Sequence, residues 1–370
     1  METDSLQISL ITCSPGQDTY AMFGHTGIRV NYVLQNRDVV FNYGMFNYKS
    51  ENFIYRFVKG ETDYILGVEP SYYFFTRYDE PGITVTEQVL NLTDREKETL
   101  ARKLEENALP QNRTYRYNWL YDNCTTRARD IIESSINGKV TYQEANTDTS
   151  VTTRTILHTY TSVSDWTRFG IDIILGEEID RPLSDRQQMF IPANYMASAG
   201  HAVITDVQGN QRPLVSSTVT PIQSDSLRHT DNNHSSLMCT TGLLFIAAGL
   251  AFLELRRKKT YKWFDASLAF LLGLAGCLVA FLFFASEHAG VSTNYLVILL
   301  NPLHFIAIPF IIKRKTRIVS YVMLADMVLL LLTILATGQT VNTAILPVVF
   351  TLLVRVIVNL RIFSYLCIRK

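Results

Sequence analysis

The sequence predicts a chain of two parts: an α+β domain outside the membrane over residues 1–215 and, after a polar linker at 216–236, an all-α domain of five transmembrane helices at 237–370. Composition points there first. Of 370 residues, 47% are hydrophobic and only 18% charged, below the ~25% charged of an average soluble domain. Charge is also segregated. The 34 basic and 34 acidic residues cancel over the whole chain, but the part after Ser236 holds 13 basic residues and four acids, Glu254, Asp265, Glu287 and Asp326. That part therefore carries +9 and the part before it −9, which excludes the basic footprint of a polynucleotide binder.

The third observation is a series of apolar stretches at Leu237–Leu255, Phe264–Ala285, Tyr295–Ile312, Ile318–Thr337 and Ala344–Phe363. Each is about long enough to cross ~30 Å of hydrocarbon as a helix. Arg256–Lys262 (RRKKTYK) separates the first two and Lys313–Arg317 (KRKTR) the third and fourth, while the other two connectors carry no Lys or Arg and the chain ends in Arg369-Lys370. The positive-inside rule then places the basic loops and the C-terminus in the cytoplasm, and an odd number of spans puts the N-terminal half on the far side, the periplasm of a bacterial inner membrane. METDSLQISLITCSPG has no basic segment followed by an apolar core, so a removed or replaced signal peptide is expected.

Within the exported half, Leu6–Thr12 alternates as a strand and stops at the turn Ser14-Pro15-Gly16. Gly24–Val33 and Asp38–Tyr43 read as a hairpin joined through Gln35-Asn36-Arg37, and Gly82–Leu90 as a further β run. Thr93 with Glu96 makes a capping box that opens a helix through Glu106. Tyr115–Asp122 leads into a helical pattern from Cys124 to Ile132, closed by Asn137-Gly138. Thr152–Ser162 and Asp165–Leu175 read as helices, and the Ser, Thr, Asp and Asn of residues 216–233 as a linker.

Five cysteines, at 13, 124, 239, 277 and 367, show no metal-binding spacing, so no metal site is expected. Cys239, Cys277 and Cys367 lie in or beside spans and read as packing residues. A disulfide between Cys13 and Cys124 is one reading of the exported pair, given an oxidising compartment. Cys124, however, follows Asn123 at a helix start, where unpaired N–H groups and the macrodipole lower a thiol's pKa. A base is at hand in His25, on a strand flanked by Gly24 and Gly27, although a lone strand histidine also suits an ordinary structural place; His158, His201, His229 and His234 are weaker candidates.

GHTGIRV, the following VVFNYG, and NCTTR at a helix start resemble, in that order, the circularly permuted NlpC-like papain fold that includes lecithin:retinol acyltransferase. SLITCSPGQDTYAMFGHTGIRV, YNWLYDNCTTRARDII and WTRFGIDIILGEEIDRPLSDRQQMFIP, followed by a five-span tail, more closely resemble the Lnb-type lipoprotein N-acyltransferases. The resemblance implies Cys124 as nucleophile, His25 as general base and a polar third residue on the next strand. Asn42 is favoured there over Tyr43, since adjacent strand residues face opposite ways and an amide can accept the Nδ1–H bond that fixes the imidazole. Asn123, Tyr43 and Tyr121 are candidate oxyanion or substrate-binding groups. No cofactor is implied. The expected partners are a phospholipid acyl donor, a diacylated lipoprotein acceptor and membrane lipids.

Two competing functions remain: a membrane-tethered NlpC-like cysteine peptidase or amidase acting on peptidoglycan, which uses the same Cys-His pair, and a non-enzymatic binding module. The aromatic residues Phe41, Tyr43, Phe46, Tyr48, Phe53, Tyr55 and Phe57, with Tyr72–Phe75, suit an acyl-chain groove or ordinary core packing. Met189–Pro192 suits a lipid-dipping edge or a buried segment. In the membrane half, Asp326 and Arg355 fall at similar depth and are expected to pair as a structural clamp, with Asn301 and His304 as interhelical hydrogen-bonding residues.

Overall fold

A computed structural model describes residues 6–16, 18, 21–142, 150–225 and 233–368, with side chains to 361. In chain order the elements are β1 (Leu6–Cys13), β2 (His25–Tyr32), β3 (Arg37–Met45), α1 (Phe53–Lys59), β4 (Asp63–Pro70), α2 (Ser71–Tyr78), β5 (Val85–Leu90), α3 (Asp94–Ala108), β6 (Thr114–Arg116), α4 (Cys124–Glu133), β7 (Gly138–Thr141) and α5 (Thr153–Tyr160). There follow α6 (Asp165–Ile174), α7 (Asp185–Gln188), α8 (Pro192–Gly200), β8 (Val203–Asp206), β9 (Gln211–Pro213) and β10 (Val215–Ile222). The last five helices are α9 (Ser235–Arg257), α10 (Lys262–Ala285), α11 (His304–Ile312), α12 (Thr316–Thr337) and α13 (Ile345–Ile368).

The chain divides into two compact units, Met1–Tyr160 with Pro182–His229, and Thr161–Arg181 with Thr230–Lys370. The expected break at 215 is thus corrected twice. Residues 216–222 of the expected linker belong to β10, which pairs with β5, and residues 226–232, with His229, lie outside the described residues. The segment Thr161–Arg181 belongs to the helical unit: Phe169 and Ile173 of α6 pack into the core made by the long helices. Its helical period was legible, but a period does not say which core an apolar face serves.

The first unit is built on an antiparallel seven-stranded sheet, ordered β10-β5-β1-β2-β3-β4-β6, with β7-β8-β9 as a smaller sheet. Strand alternation sorts the sheet's two faces. Ile8, Leu10, Ile28, Val30 and Phe41 pack with Leu100 and Leu104 of α3, Ala128 and Ile132 of α4, and Tyr195 of α8. Ile11, Cys13, Val40 and Val85 face the other way, onto Phe74 of α2. Thr93 and Glu96 form the expected capping box at α3. Met189, Phe190 and Ile191 are buried, so that segment is core and not a lipid-dipping edge.

The second unit holds α6 and α9 to α13. Three of its helices, Ser235–Arg257, Lys262–Ala285 and Thr316–Thr337, are long and apolar enough to cross a membrane among the described residues. The expected third span is not one helix. It is a 3-10 turn at Tyr295–Ile298, an irregular stretch through Pro302, and the short α11. Asn301 and His304 close this break locally rather than bridging helices: Asn301 Nδ2 donates to the Ile298 carbonyl at 2.7 Å, and His304 Nε2 lies 2.7 Å from the Leu299 carbonyl. Pro302 has no N–H for the Ile298 carbonyl, and the Leu303 N–H goes to Asn301 Oδ1 at 3.1 Å instead of the Leu299 carbonyl, so these two side chains take up both carbonyls.

Residues Thr161–Arg181 are fastened to the ends of these helices. Asp165 accepts the Ser236 N–H at the start of α9 (2.7 Å), the buried Asp172 accepts from Asn342 (2.8 Å), and Asp180 accepts from the Thr340 N–H (3.1 Å). A Cβ on Gly176 would sit 2.3 Å from the Thr293 and Asn294 backbone, so only glycine permits this approach.

The expected Asp326–Arg355 clamp is replaced by another. Arg355 is bidentate to Glu254 (2.7 and 3.0 Å) and also bonded to Asp265 (2.5 and 3.1 Å), and Asn359 adds a bond to Asp265 at 3.1 Å. All four residues are buried. Equal depth was a sound criterion, but the end of α9 and the first turn of α10 offer two carboxylates there, and a planar guanidinium satisfies both at once.

Candidate active site

The edge between β2, β3 and α4 gathers three of the residues singled out above. Gly24 precedes β2 with φ +78, and a Cβ there would lie 2.5 Å from the Cys13 carbonyl, so a glycine is needed to turn the chain into the strand. His25 opens β2, opposite Cys13 on β1. Its Nε2 lies 2.5 Å from Asn42 Oδ1 on β3. The amide orientation is set from behind: Asn42 Nδ2 donates to Glu69 Oε1 at 3.4 Å, and Glu69 Oε2 is held by Arg77 at 2.5 Å. A carboxylate accepts and does not donate, so Glu69 keeps the Asn42 oxygen turned toward the ring. Tyr78 stacks parallel to the imidazole at 6.0 Å and Phe74 lies at 6.5 Å, screening the pair from one side.

Asn42 and Tyr43 point to opposite faces, as strand alternation requires. The Tyr43 hydroxyl accepts from Asn107 in the helix-covered core, at 3.0 Å, so it has no place beside His25. The imidazole bond differs from expectation in its atom: Nε2, not Nδ1, meets the amide. Asn42 lies across on the neighbouring strand, where the far end of the ring reaches it, and the nitrogen left for the thiol is Nδ1.

Cys124 is the first residue of α4 and is buried. Asn123 is its N-cap: the side-chain oxygen accepts from the N–H groups of Thr125 (2.8 Å) and Thr126 (3.0 Å), while Nδ2 donates to the carbonyls of Trp119 (2.8 Å) and Phe190 (2.9 Å). Its amide is fully engaged, so Asn123 is a scaffold and not an oxyanion donor. Among the described residues, the Cys124 N–H is the donor of that turn left without a hydrogen-bond partner, beside its own sulfur at the positive end of the helix. Thr26 and Thr125 join their hydroxyls at 3.0 Å and tie β2 to α4, which fixes the sulfur against the histidine strand. Tyr121 is exposed, in the turn that the Asn118 side chain closes ahead of α4.

Electrostatics make this pair unequal to every other thiol in the unit. Burial pushes the Cys124 thiol up, but the His25 charge, the His25 hydrogen bond, the Thr26 N–H and the Thr125 hydroxyl outweigh it and the net pKa is lowered. Burial pulls His25 down, and Cys124 and Asn42 outweigh that, so the imidazole is raised. The two shifts describe a thiolate and imidazolium stabilising each other. Cys13 moves the other way, well above its usual value, through burial and then through the nearby Cys124 charge. Cys13 and Cys124 are both free, so the alternative of a disulfide between them is not realised. Cys239 and Cys277 are exposed on α9 and α10 rather than packed, and the Cys367 side chain lies outside the described ones.

Gly44 completes the floor with φ +92, at the bulge where β3 leaves register with β4. A Cβ at this position would touch Cys124 Cβ (3.6 Å), Tyr117 Cε2 (3.8 Å) and His25 Cε1 (4.0 Å). Four residues of this arrangement, Glu69, Arg77, Tyr78 and Tyr117, escaped the sequence reading. Glu69, Arg77 and Tyr78 carry no motif, Tyr117 heads YNWLYDNCTTRARDII without a signal of its own, and only the fold brings the four to His25 and Cys124.

Residues 1–159 match the family model described as the Lnb N-terminal periplasmic domain, and residues 230–365 match that of the Lnb transmembrane domain. The chain belongs to the Lnb family. No curated protein and no solved structure matches it. The two Lnb matches stop and start at the borders of the structural units, Tyr160 and Thr230. Between them lies Thr161–Arg181, fastened to the helices of the Lnb membrane part. The molecule is therefore a membrane protein with an N-terminal domain of the Lnb periplasmic type, and the Cys124–His25–Asn42 arrangement lies wholly within that domain.

Proposed function

We propose that this protein moves a fatty acyl chain from a membrane phospholipid, through a thioester on Cys124, to the α-amino group of the diacylglyceryl-cysteine of a lipoprotein. The observation that carries the reading is the buried Cys124–His25–Asn42 relay at the N-terminus of α4. The Cys124 thiolate attacks the ester carbonyl of the donor, and the oxygen charge that develops is met by the Cys124 N–H at the helix end. As the C–S bond forms and the ester C–O bond breaks, His25 gives its proton to the departing lysophospholipid oxygen. The neutral imidazole, held by Asn42 through Nε2, then takes a proton from the incoming amine as the amide C–N bond forms and the C–S bond breaks. Thiolate and imidazolium are restored, and the kinetics are ping-pong.

The periplasmic orientation expected from the basic loops supports the reading, since both lipid substrates are presented on that side of the membrane. The test is the mass of the protein purified from membranes, together with the mass of lipoprotein N-termini after deletion of the gene. A fatty-acyl increment on the Cys124 peptide, removed by hydroxylamine, and loss of triacylated N-termini are expected. Unchanged triacylation in the deletion strain would overturn the reading.

A further inference from the structure

Resting on that reading, we propose that the aromatic side chains running from Tyr117 out to α1 form the track for the acyl chain of the donor lipid. The run is continuous. Tyr117 stacks on Tyr64 with centroids 4.1 Å apart, Tyr64 meets Phe46 at 5.0 Å, Phe46 lies parallel to Phe53 at 5.7 Å, and Phe53 is followed by Phe57 at 5.9 Å. Tyr48 closes the outer part against Phe46 (4.5 Å) and Phe53 (5.4 Å).

Its two ends differ in the way a path to a buried nucleophile requires. At the inner end, Tyr117 converges with Cys124 and His25 on Gly44. Burial and the Cys124 charge keep its phenol protonated. Tyr117 itself is half-buried and Tyr64 is 8% exposed, and beyond Tyr64 exposure rises to 46% at Phe57 and 61% at Tyr48. At the outer end α1 reads FIYRFVK and none of its residues is buried; Ile54 is 78% exposed. The helix starts from Asn52 in the left-handed region with no side-chain cap. A short helix that exposes Ile54, Tyr55 and Phe57 suits the mouth of a site for an apolar ligand.

The chemistry of the run selects the ligand. Rings supply apolar area without demanding hydrogen bonds, and the charged groups of α1 are already paired, Arg56 with Asp63 and Lys59 with Glu61. A linear alkyl chain fits such a surface, whereas a peptide would leave its backbone groups unmatched. The other aromatics grouped by the sequence fall elsewhere: Phe41 and Phe74 are fully buried in the core, and Tyr72 and Tyr73 are exposed on α2 against each other. Among the described residues this run reaches the site from the Tyr117 side, while Phe74 and Tyr78 meet His25 from α2, with Phe75 against Phe74.

The experiment measures acylation of Cys124 by mass, in the full-length protein reconstituted in detergent, with phosphatidylethanolamines of short, medium and long acyl chains. The wild type is expected to prefer long chains. Phe53→Ala should reduce the long-to-short preference roughly tenfold, about what losing half of one aromatic ring's burial would do, and Phe53→Leu should restore most of it. Iodoacetamide labelling of Cys124 in each variant reports whether the thiolate is intact. Equal loss at every chain length would make Phe53 merely structural and overturn the track, as would an unchanged preference or a wild type indifferent to length. A wild type labelled by iodoacetamide but acylated by no phospholipid would instead overturn the acyltransferase reading beneath it.

Discussion

Replacing Asn42 by alanine removes the acceptor of the His25 Nε2–H bond, 2.5 Å long and directed at a ring whose charged form Cys124 and Asn42 both favour. Hydrogen bonds to charged groups contribute about 1.5–3 kcal/mol. If that stabilisation is lost in the step that forms the thioester, the rate falls about 10- to 150-fold, since ~1.4 kcal/mol is a factor of ten. The variant should also move the pH profile. The His25 pKa is raised with help from Asn42, so the imidazolium that protonates the leaving oxygen persists until pH rises through that raised value. Without Asn42 the value falls and the alkaline limb of the acylation rate shifts to lower pH. Cys124, lowered by the same imidazolium, loses its thiolate as pH falls through its own pKa, and a less firmly charged partner moves that acid limb upward. Acylation by phosphatidylethanolamine, followed by mass from acid to alkaline pH, reads the first limb, and iodoacetamide labelling reads the second. A loss under about tenfold with both limbs unmoved would refute the role given to Asn42.

Other expectations follow from the same geometry. Cys124→Ala should abolish acyl transfer while Cys13→Ala keeps most of it, measured by triacylation of a lipoprotein substrate; the reverse would mean that the other thiol is the nucleophile. Gly44→Ala should slow thioester formation, because the left-handed backbone costs about 1–3 kcal/mol with a side chain and the new methyl meets Cys124 and His25; wild-type rate and melting temperature would contradict this. Arg355→Ala leaves Glu254 and Asp265 buried without their partner and should cost about 3–5 kcal/mol, seen as a lower melting temperature in detergent. An unaltered melting curve would show that water reaches the cluster.

The sequence made the strands carrying His25 and Asn42 and the helix carrying Cys124 legible because each has a local signal: alternation around GHTGIRV and VVFNYG, and an Asn-Cys step at a helix start. The α3 capping box was legible for the same reason, since all its partners lie within four residues. What surrounds the site was not. Glu69 and Arg77 act on His25 through Asn42 only after β4 and α2 fold back onto β3, and no spacing in the chain marks that. The aromatic segment from Phe53 to Tyr78 hid α1, β4 and α2 because its hydrophobic residues follow neither period for long. Charge was misleading in the membrane half, where Asp326 had the right depth for Arg355 but Glu254 and Asp265 together had the better geometry. Assigning α6 to the exported domain failed because amphipathicity names a buried face and not its partner.

Whether Cys124 hands its acyl group to an amine or to water separates the transferase reading from the amidase one, and the deciding quantity is the lifetime of the thioester. A hydrolase must admit water to the acyl-enzyme, whereas a transferase waiting for a lipoprotein must keep it out. Cys124 is only 8% exposed, His25 is covered by Tyr78 and Phe74, and Tyr117 stands on the remaining side at Gly44. An acyl chain lying along the Tyr117 end of the aromatic run would close the approach further. Burial pushes the Tyr78 and Tyr117 phenols up, with Cys13 and then Cys124 adding to it at Tyr78 and Cys124 at Tyr117, which disfavours either as a base for water. The thioester is therefore expected to persist in buffer without acceptor and to discharge promptly when a diacylated lipopeptide with a free α-amine is added. Time-resolved intact mass measures both rates. Discharge that is equally fast with an N-acetylated lipopeptide or with buffer alone would mean that water is the acceptor, and the peptidoglycan amidase would then be the better account of this site.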